Sequence, residues 1–196
     1  MPRKKSVRSA AEKFIERSDA LADYYDSVTT IGLGKQETTW AVEAAIIKLS
    51  VYVEHLMLEA LVGAINNDTT TVSSSSGIRF PKHLTDEVCE YLVTSGGYFD
   101  FRGRDGLIKL LKGYVPDDHY LLVAVKRQKY VAALERLVAI RNFAAHESPK
   151  GKVAAKKAVG GRIAFAGTWL KSGSHFTDIN SRMRQLGEEI REAAPY

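Results

Sequence analysis

A chain of 196 residues with 45% hydrophobic and 26% charged side chains has the length and apolar content for one compact domain with a single core. Its one cysteine, Cys89, excludes an internal disulfide and a Cys-x-x-Cys metal clamp, and no segment reaches the roughly 20 apolar residues of a membrane span, so a reduced cytoplasm without a membrane partner is expected. The formal net charge of +5 and pI near 9.2 favour polyanionic partners, because phosphate binding is driven by charge neutralisation and counterion release. Met1-Pro2-Arg3-Lys4-Lys5 is basic, but a polar, charged stretch follows it in place of the apolar run of a secretory signal.

Hydrophobic periodicity predicts a first helix over Ser9 to Asp26, where Phe14, Ile15, Leu21, Ala22 and Tyr25 recur at helical spacing before Gly32 and Gly34 break the pattern. A second helix is expected from Glu37 to Ile65, opened by Thr38 or Thr39 and stopped by Asn66-Asn67-Asp68. Residues 67–77, with three threonines and four consecutive serines, read as a mobile loop. Short helices follow at Leu84 to Val93 and Gly103 to Tyr114. Pro116-Asp117-Asp118 then suits the first turn and dipole of a helix running to Ala145. Residues 148–174 form a basic, Gly-rich insertion in which Ile163, Phe165 and Trp169 point to a short strand or hairpin. A closing helix from Thr177 to Ala193 carries Ile179, Met183, Leu186 and Ile190 on one face. The whole reads as a single all-α domain over 1–196, a bundle of five or six helices.

Helical projection at about 100° per residue places two charges on apolar faces. On the second helix Lys48, Tyr52, His55 and Glu59 share the solvent side. Glu54, at roughly 240° from Lys48, and Ser50, at roughly 200°, fall in the arc of Ile46, Val53, Leu56, Met57, Leu61 and Ile65. On the helix from Pro116, Val123, Tyr130, Leu134, Leu137 and Val138 lie within about 60° of Arg141, while Gln128, Lys129, Glu135 and Arg136 face water. An unpaired buried ion is strongly destabilising, so Glu54 and Arg141 are expected to pair. Such a pair also has a purely structural reading, as a lock on helix register. The functional reading rests on the residues after Arg141. His146, a side chain that titrates near neutrality, leaves the same helix five residues on, past the small Ala144 and Ala145. A phosphate-gripping cation beside such a group is the minimum equipment for phosphodiester cleavage.

The string Arg141-Asn142-Phe143-Ala144-Ala145-His146 resembles the Arg-x4-6-His signature of the HEPN superfamily, helical-bundle proteins that include many metal-independent ribonucleases of toxin-antitoxin and phage-defence systems. The polar Asn142 after the arginine, the inward Glu54 on an earlier long helix, a variable middle and a closing amphipathic helix extend the likeness over most of the chain. It is most similar to the group associated with RiboL-PSP-type conflict systems. The resemblance implies a HEPN-like bundle, endoribonuclease activity without cofactor or metal, a homodimer in which two Arg/His sets meet in one cleft, and an antitoxin or regulatory partner. The sequence departs from toxins silenced by a partner nucleotidyltransferase, whose motif continues His-x-Tyr. Here Glu147 and Ser148 follow His146, which does not support that form of control.

In this reading His146 serves as general base or acid on the RNA 2′-OH and the leaving oxygen, and Arg141 stabilises charge on the phosphoryl oxygens. Asn142 positions the phosphate or His146, and Glu54 holds the guanidinium. Lys150, Lys152, Lys156, Lys157, Arg162 and Lys171, with Phe165 and Trp169 among them, are candidates to track an RNA backbone and stack bases, the alternative being a merely solvated charged face. The chain offers no carboxylate cluster or His-x-x-x-His pair for a catalytic metal. His55 and His119 read as surface residues, and Tyr24, Tyr25 and Tyr130 as core or interface aromatics. The competing expectation is a non-catalytic module of the same kind that binds RNA or nucleotide, or mediates dimerisation, with Arg141 and His146 structural.

Overall fold

The computed structural model describes residues 5–195; the basic residues Met1, Pro2, Arg3 and Lys4 and the terminal Tyr196 lie outside the described residues. Among the described residues every regular element is helical, as the all-α expectation requires. The α-helices are α1 (Val7–Thr30), α2 (Lys35–Asn67), α3 (Thr70–Ser76), α4 (Asp86–Thr94), α5 (Gly103–Lys112), α6 (Tyr120–Lys126), α7 (Val131–His146), α8 (Pro149–Val159), α9 (Ala166–Lys171) and α10 (His175–Ala193). Tight 3-10 turns lie at Gln128–Tyr130 and Ser172–Ser174. No helix among the described residues is long and apolar enough to cross a membrane. The described residues cluster into two compact units, 5–15 with 54–127 and 186–195, and 16–53 with 128–185.

In the first unit the later part of α2 is apolar on nearly every face: Leu56, Met57, Ala60, Leu61, Val62, Ala64 and Ile65 are all buried. Two glycines set how closely helices approach there. A Cβ on Gly63 would meet Val7 Cγ2 at 2.8 Å, and one on Gly187 would meet Phe14 Cδ1 at 2.6 Å. Asp86, in the first turn of α4, ties two further elements together: it accepts from the Lys5 backbone N–H at 3.0 Å and from Asn66 Nδ2 at 2.6 Å. Arg8 Nε donates to the Ala194 carbonyl at 2.9 Å, satisfying an acceptor beyond the last turn of α10.

The second unit carries its own core, with Ile46 and Leu49 of α2, Leu134 and Leu137 of α7, and Phe176 and Met183 of α10 buried. Ser18 Oγ donates to Asn180 Oδ1 at 2.9 Å while Asn180 Nδ2 returns a bond to the Ser18 carbonyl at 3.0 Å. This reciprocal pair satisfies two buried polar side chains and fixes the register of α1 against α10. Tyr25 stacks on Phe176 at 4.4 Å and donates its hydroxyl to the Leu170 carbonyl at 3.3 Å. Tyr130 is likewise buried, whereas Tyr24 is exposed and does not join the core. Helix α9 is clamped at both ends to α2: Gly167 N–H donates to Glu43 Oε1 at 2.8 Å, and Lys171 Nζ to Thr39 Oγ1 at 2.9 Å.

Three expected segments differ, and the helices among the described residues are more numerous than five or six. Residues 67–77 are not a loop but hold α3, because buried Val72 anchors the segment and hydroxyls return bonds to its carbonyls, Ser76 Oγ to Val72 O at 2.7 Å among them. The helix expected from Pro116 to Ala145 is broken at Arg127, whose φ of −60° and ψ of 134° are extended. Arg104 explains the break: its Nε donates to Val125 O at 3.2 Å and its Nη2 to Lys126 O at 2.6 Å, taking carbonyls that a continuing helix would give to residues 129 and 130. The expected strand or hairpin in 148–174 is absent among the described residues, and α8 and α9 stand in its place. Ser148 caps α8, Pro149 fills its first position and Gly160, at φ 67°, ends it.

His119 is the N-cap of α6: its Nδ1 accepts from the Leu121 N–H at 3.3 Å, which requires that nitrogen to be unprotonated. It is half-buried rather than a surface residue, and burial pulls its pKa below 6.5 despite the opposing carboxylates of Asp118 and Asp68. Above the unfolded-state value neither state is protonated and the cap is whole. As pH falls through that value the unfolded chain gains a proton that the folded chain resists, so stability declines. Urea unfolding is expected to show a midpoint that drops from pH 7.5 to pH 5, with the His119-dependent part, on the order of 1 kcal/mol for such a cap, absent in His119→Asn.

Candidate functional site

Helix α7 is an alanine- and leucine-rich helix whose buried residues Ala133, Leu134, Leu137, Ile140 and Phe143 form one stripe. Arg141 and Asn142 interrupt that stripe near its end and are both half-buried. The Arg141 guanidinium is held on two sides: Nε donates to Ser50 Oγ of α2 at 3.2 Å, and Nη1 donates to Asn142 Oδ1 at 2.9 Å. Ser50 is 1% exposed, so its hydroxyl is a buried acceptor matched to a half-buried cation. A hydrogen bond from a charged donor of this kind contributes about 1.5–3 kcal/mol. The inward direction expected of Arg141 is therefore the one its side chain takes.

His146 is the last residue of α7 and is exposed. It lies one turn beyond Asn142, about 40° round the helix from it, but about 140° from Arg141 and about 7.5 Å further along the axis. The helix stops there because Glu147 turns into the left-handed region at φ 45°, donating its N–H to Phe143 O at 2.9 Å. Ser148 then opens α8, its Oγ accepting from the Gly151 N–H at 3.0 Å. Helix α8 folds back onto α7 closely enough that a Cβ on Gly151 would come within 3.4 Å of Phe143 Cα. His146 thus stands at a corner between the end of one helix and the positive end of the next.

Ser50 is the site residue that the expected ion pair left out. Its position in the apolar arc of α2 is legible in the sequence. Glu54, one turn beyond Ser50 on α2, is partly buried and belongs to the first unit.

The basic candidates fall into two groups. Lys150, Lys152, Lys156 and Lys157 wrap the outer side of α8, which buries Ala155 and contains no acidic residue. Arg162 is exposed two residues beyond the Gly160 cap. Lys171 and Trp169 sit on α9 instead: Lys171 is committed to Thr39 Oγ1, and the Trp169 ring stacks on His175 at 4.0 Å. Phe165 at the start of α9 is 60% exposed. Among the described residues no three His, Cys, Asp or Glu side chains cluster as a metal site.

Removing the Ser50 hydroxyl takes away an acceptor of the Arg141 Nε–H. Ser50→Ala is expected to cost about 1–3 kcal/mol in urea unfolding, against less than about 1 kcal/mol for Ala at the half-exposed Asn142; equal, negligible losses would show that Ser50 does not hold Arg141. Compared with known proteins, the chain matches no protein-family model, no curated protein and no solved structure.

Proposed function

We propose that this protein is a metal-independent endoribonuclease of HEPN type that cleaves RNA phosphodiester bonds with Arg141 and His146. The observation that carries the reading is the oriented set on α7: a guanidinium held by Ser50 and Asn142, with an exposed imidazole one turn beyond Asn142. His146 takes the proton from the 2′-OH, the 2′ oxygen forms its bond to phosphorus, and the bond to the 5′ oxygen breaks as that oxygen is protonated. The products are a 2′,3′-cyclic phosphate and a 5′-hydroxyl. Arg141 offsets the negative charge that builds on the phosphoryl oxygens, and the Asn142 carboxamide, whose oxygen is taken by Arg141, offers its N–H donors to the phosphate.

Two further features support the reading. The α8 lysines and its N-terminal dipole end favour a phosphate chain beside His146. The wide angle between Arg141 and His146 within one chain fits a homodimer in which the arginine of one copy and the histidine of the other address the same phosphate. A toxin-antitoxin or phage-defence setting, with an antitoxin or regulator holding the activity in check, belongs to the same proposal.

His146→Ala is expected to abolish cleavage of a mixed RNA pool with an unchanged melting temperature, and Arg141→Ala to reduce it at least a hundredfold. Cleavage should persist in a chelator, and an all-deoxy substrate should resist. Undiminished turnover by His146→Ala sinks the catalytic assignment; RNA binding without turnover in the wild type favours the non-catalytic module. Replacing Lys150, Lys152, Lys156 and Lys157 by Gln is expected to flatten the salt dependence of RNA affinity by up to about 0.7 in log–log slope for each phosphate no longer neutralised, measured by fluorescence anisotropy across a salt series.

A further inference from the structure

A second basic feature lies on another side of α7. A cleft of about 440 Å³ runs between the segment that begins at the Gln128–Tyr130 turn and the first half of α10; Lys129, Arg136, Asp178, Ser181, Arg182 and Gln185 line it. Ala132, Ala133 and Ile179 complete the lining. Three cations thus surround one carboxylate. Arg182 is set in place by its bond to Gln185 Oε1 at 3.0 Å. Arg136, which the projection assigns to solvent, has its Nε buried and without a hydrogen-bond partner among the described residues.

A buried guanidinium N–H without an acceptor costs free energy, and like charges gathered round a cleft repel one another. An anion with several oxygens in the cleft relieves the repulsion, and a guanidinium that turns to meet it gains an acceptor for that N–H. A planar, forked donor matches a phosphate in two parallel bonds, and the ammonium of Lys129 and the guanidinium of Arg182 supply further charge. Asp178 is a poor neighbour for phosphate but a good acceptor for a sugar hydroxyl, and the volume suits one nucleotide. We propose that this cleft binds the phosphate of a nucleotide, with Arg136 as its principal ligand. Arg136 precedes Arg141 by five residues, about 140° round the helix, so the cleft is separate from the cleavage residues and needs no chemistry at His146.

The test titrates adenosine 5′-monophosphate, adenosine, and a fluorescent single-stranded RNA nonamer into the full-length wild type, Arg136→Met, Arg182→Gln and His146→Ala. Arg136→Met is expected to weaken at least one phosphate-bearing probe tenfold or more, Arg182→Gln severalfold, and adenosine to bind none of the proteins detectably. Loss confined to the RNA marks the phosphate as that of a polynucleotide; loss with the mononucleotide marks a free nucleotide. Without any probe, Arg136→Met should melt no lower than wild type, because it removes an unsatisfied buried donor, and the probe that binds should raise the melting temperature of wild type but not of Arg136→Met. Because the wild type would cut the RNA, His146→Ala serves as the uncleaving background in which the Arg136→Met comparison with the nonamer is made. Failure of the wild type to bind either phosphate probe, equal binding by Arg136→Met, or a melting temperature lowered by several degrees in that variant with binding kept, overturns the proposal.

Discussion

The carbonyls of Val125 and Lys126 accept from the Arg104 side chain and not from the backbone two and three residues beyond Arg127. The break in the backbone at Arg127 rests on that exchange of donors. A helix running unbroken from Pro116 would bind the faces of residues 131–146 to those of 120–126 in one 3.6-residue phase. With the carbonyls satisfied from α5, the backbone at Arg127 extends, tightens through a 3-10 turn and begins α7 afresh at Val131. The direction in which Arg141 leaves the helix is then set by the packing of α7's own stripe, from Ala133 to Phe143, and by a serine hydroxyl on α2. Val123, counted on Arg141's side in a continuous projection, is instead 44% exposed, as a break in phase requires.

How much of this is legible in the sequence depends on the range of the interaction involved. Helices α1, α2 and α10 are written in their apolar spacing, since periodicity over many residues records burial directly. The inward direction of Arg141 and the exposure of His146 survive the break at Arg127 because both lie on the far side of it, where the local spacing of Leu134, Leu137 and Ile140 still governs. Helix α3 is not legible: its composition is that of a loop, and its stability comes from one buried valine and from hydroxyl bonds to carbonyls that composition does not reveal. The break itself is out of reach, because its cause is an arginine more than twenty residues away. The 148–174 segment is a different case. The signals for α8, a Ser-Pro start and a Gly stop, stand in the chain, and reading the segment as a basic, Gly-rich insertion gives too much weight to lysine and glycine content.

Cations in this protein divide by the groups that satisfy them. Arg104 and Arg141 meet oxygen acceptors within their own units, and each fixes a local geometry. Arg184 is paired with Asp19 at 2.6 Å and Arg127 with Glu189 at 3.0 Å, on more exposed ground where salt and side-chain entropy leave little net stability. The lysines of α8 and the Nε of Arg136 stand outside both groups, and a polyanion is the partner that chemistry offers them.

Only Glu147 and Ser148 separate the end of α7 from the start of α8. Eleven residues of α8 extend about 16 Å, so any phosphate chain captured by its lysines is tethered within that distance of His146. Encounter with the imidazole then becomes an intramolecular event with an effective concentration in the millimolar range or above. Capture by the lysine helix, rather than the affinity of the few residues at the helix corner, would set how fast a dilute polyanion reaches that histidine.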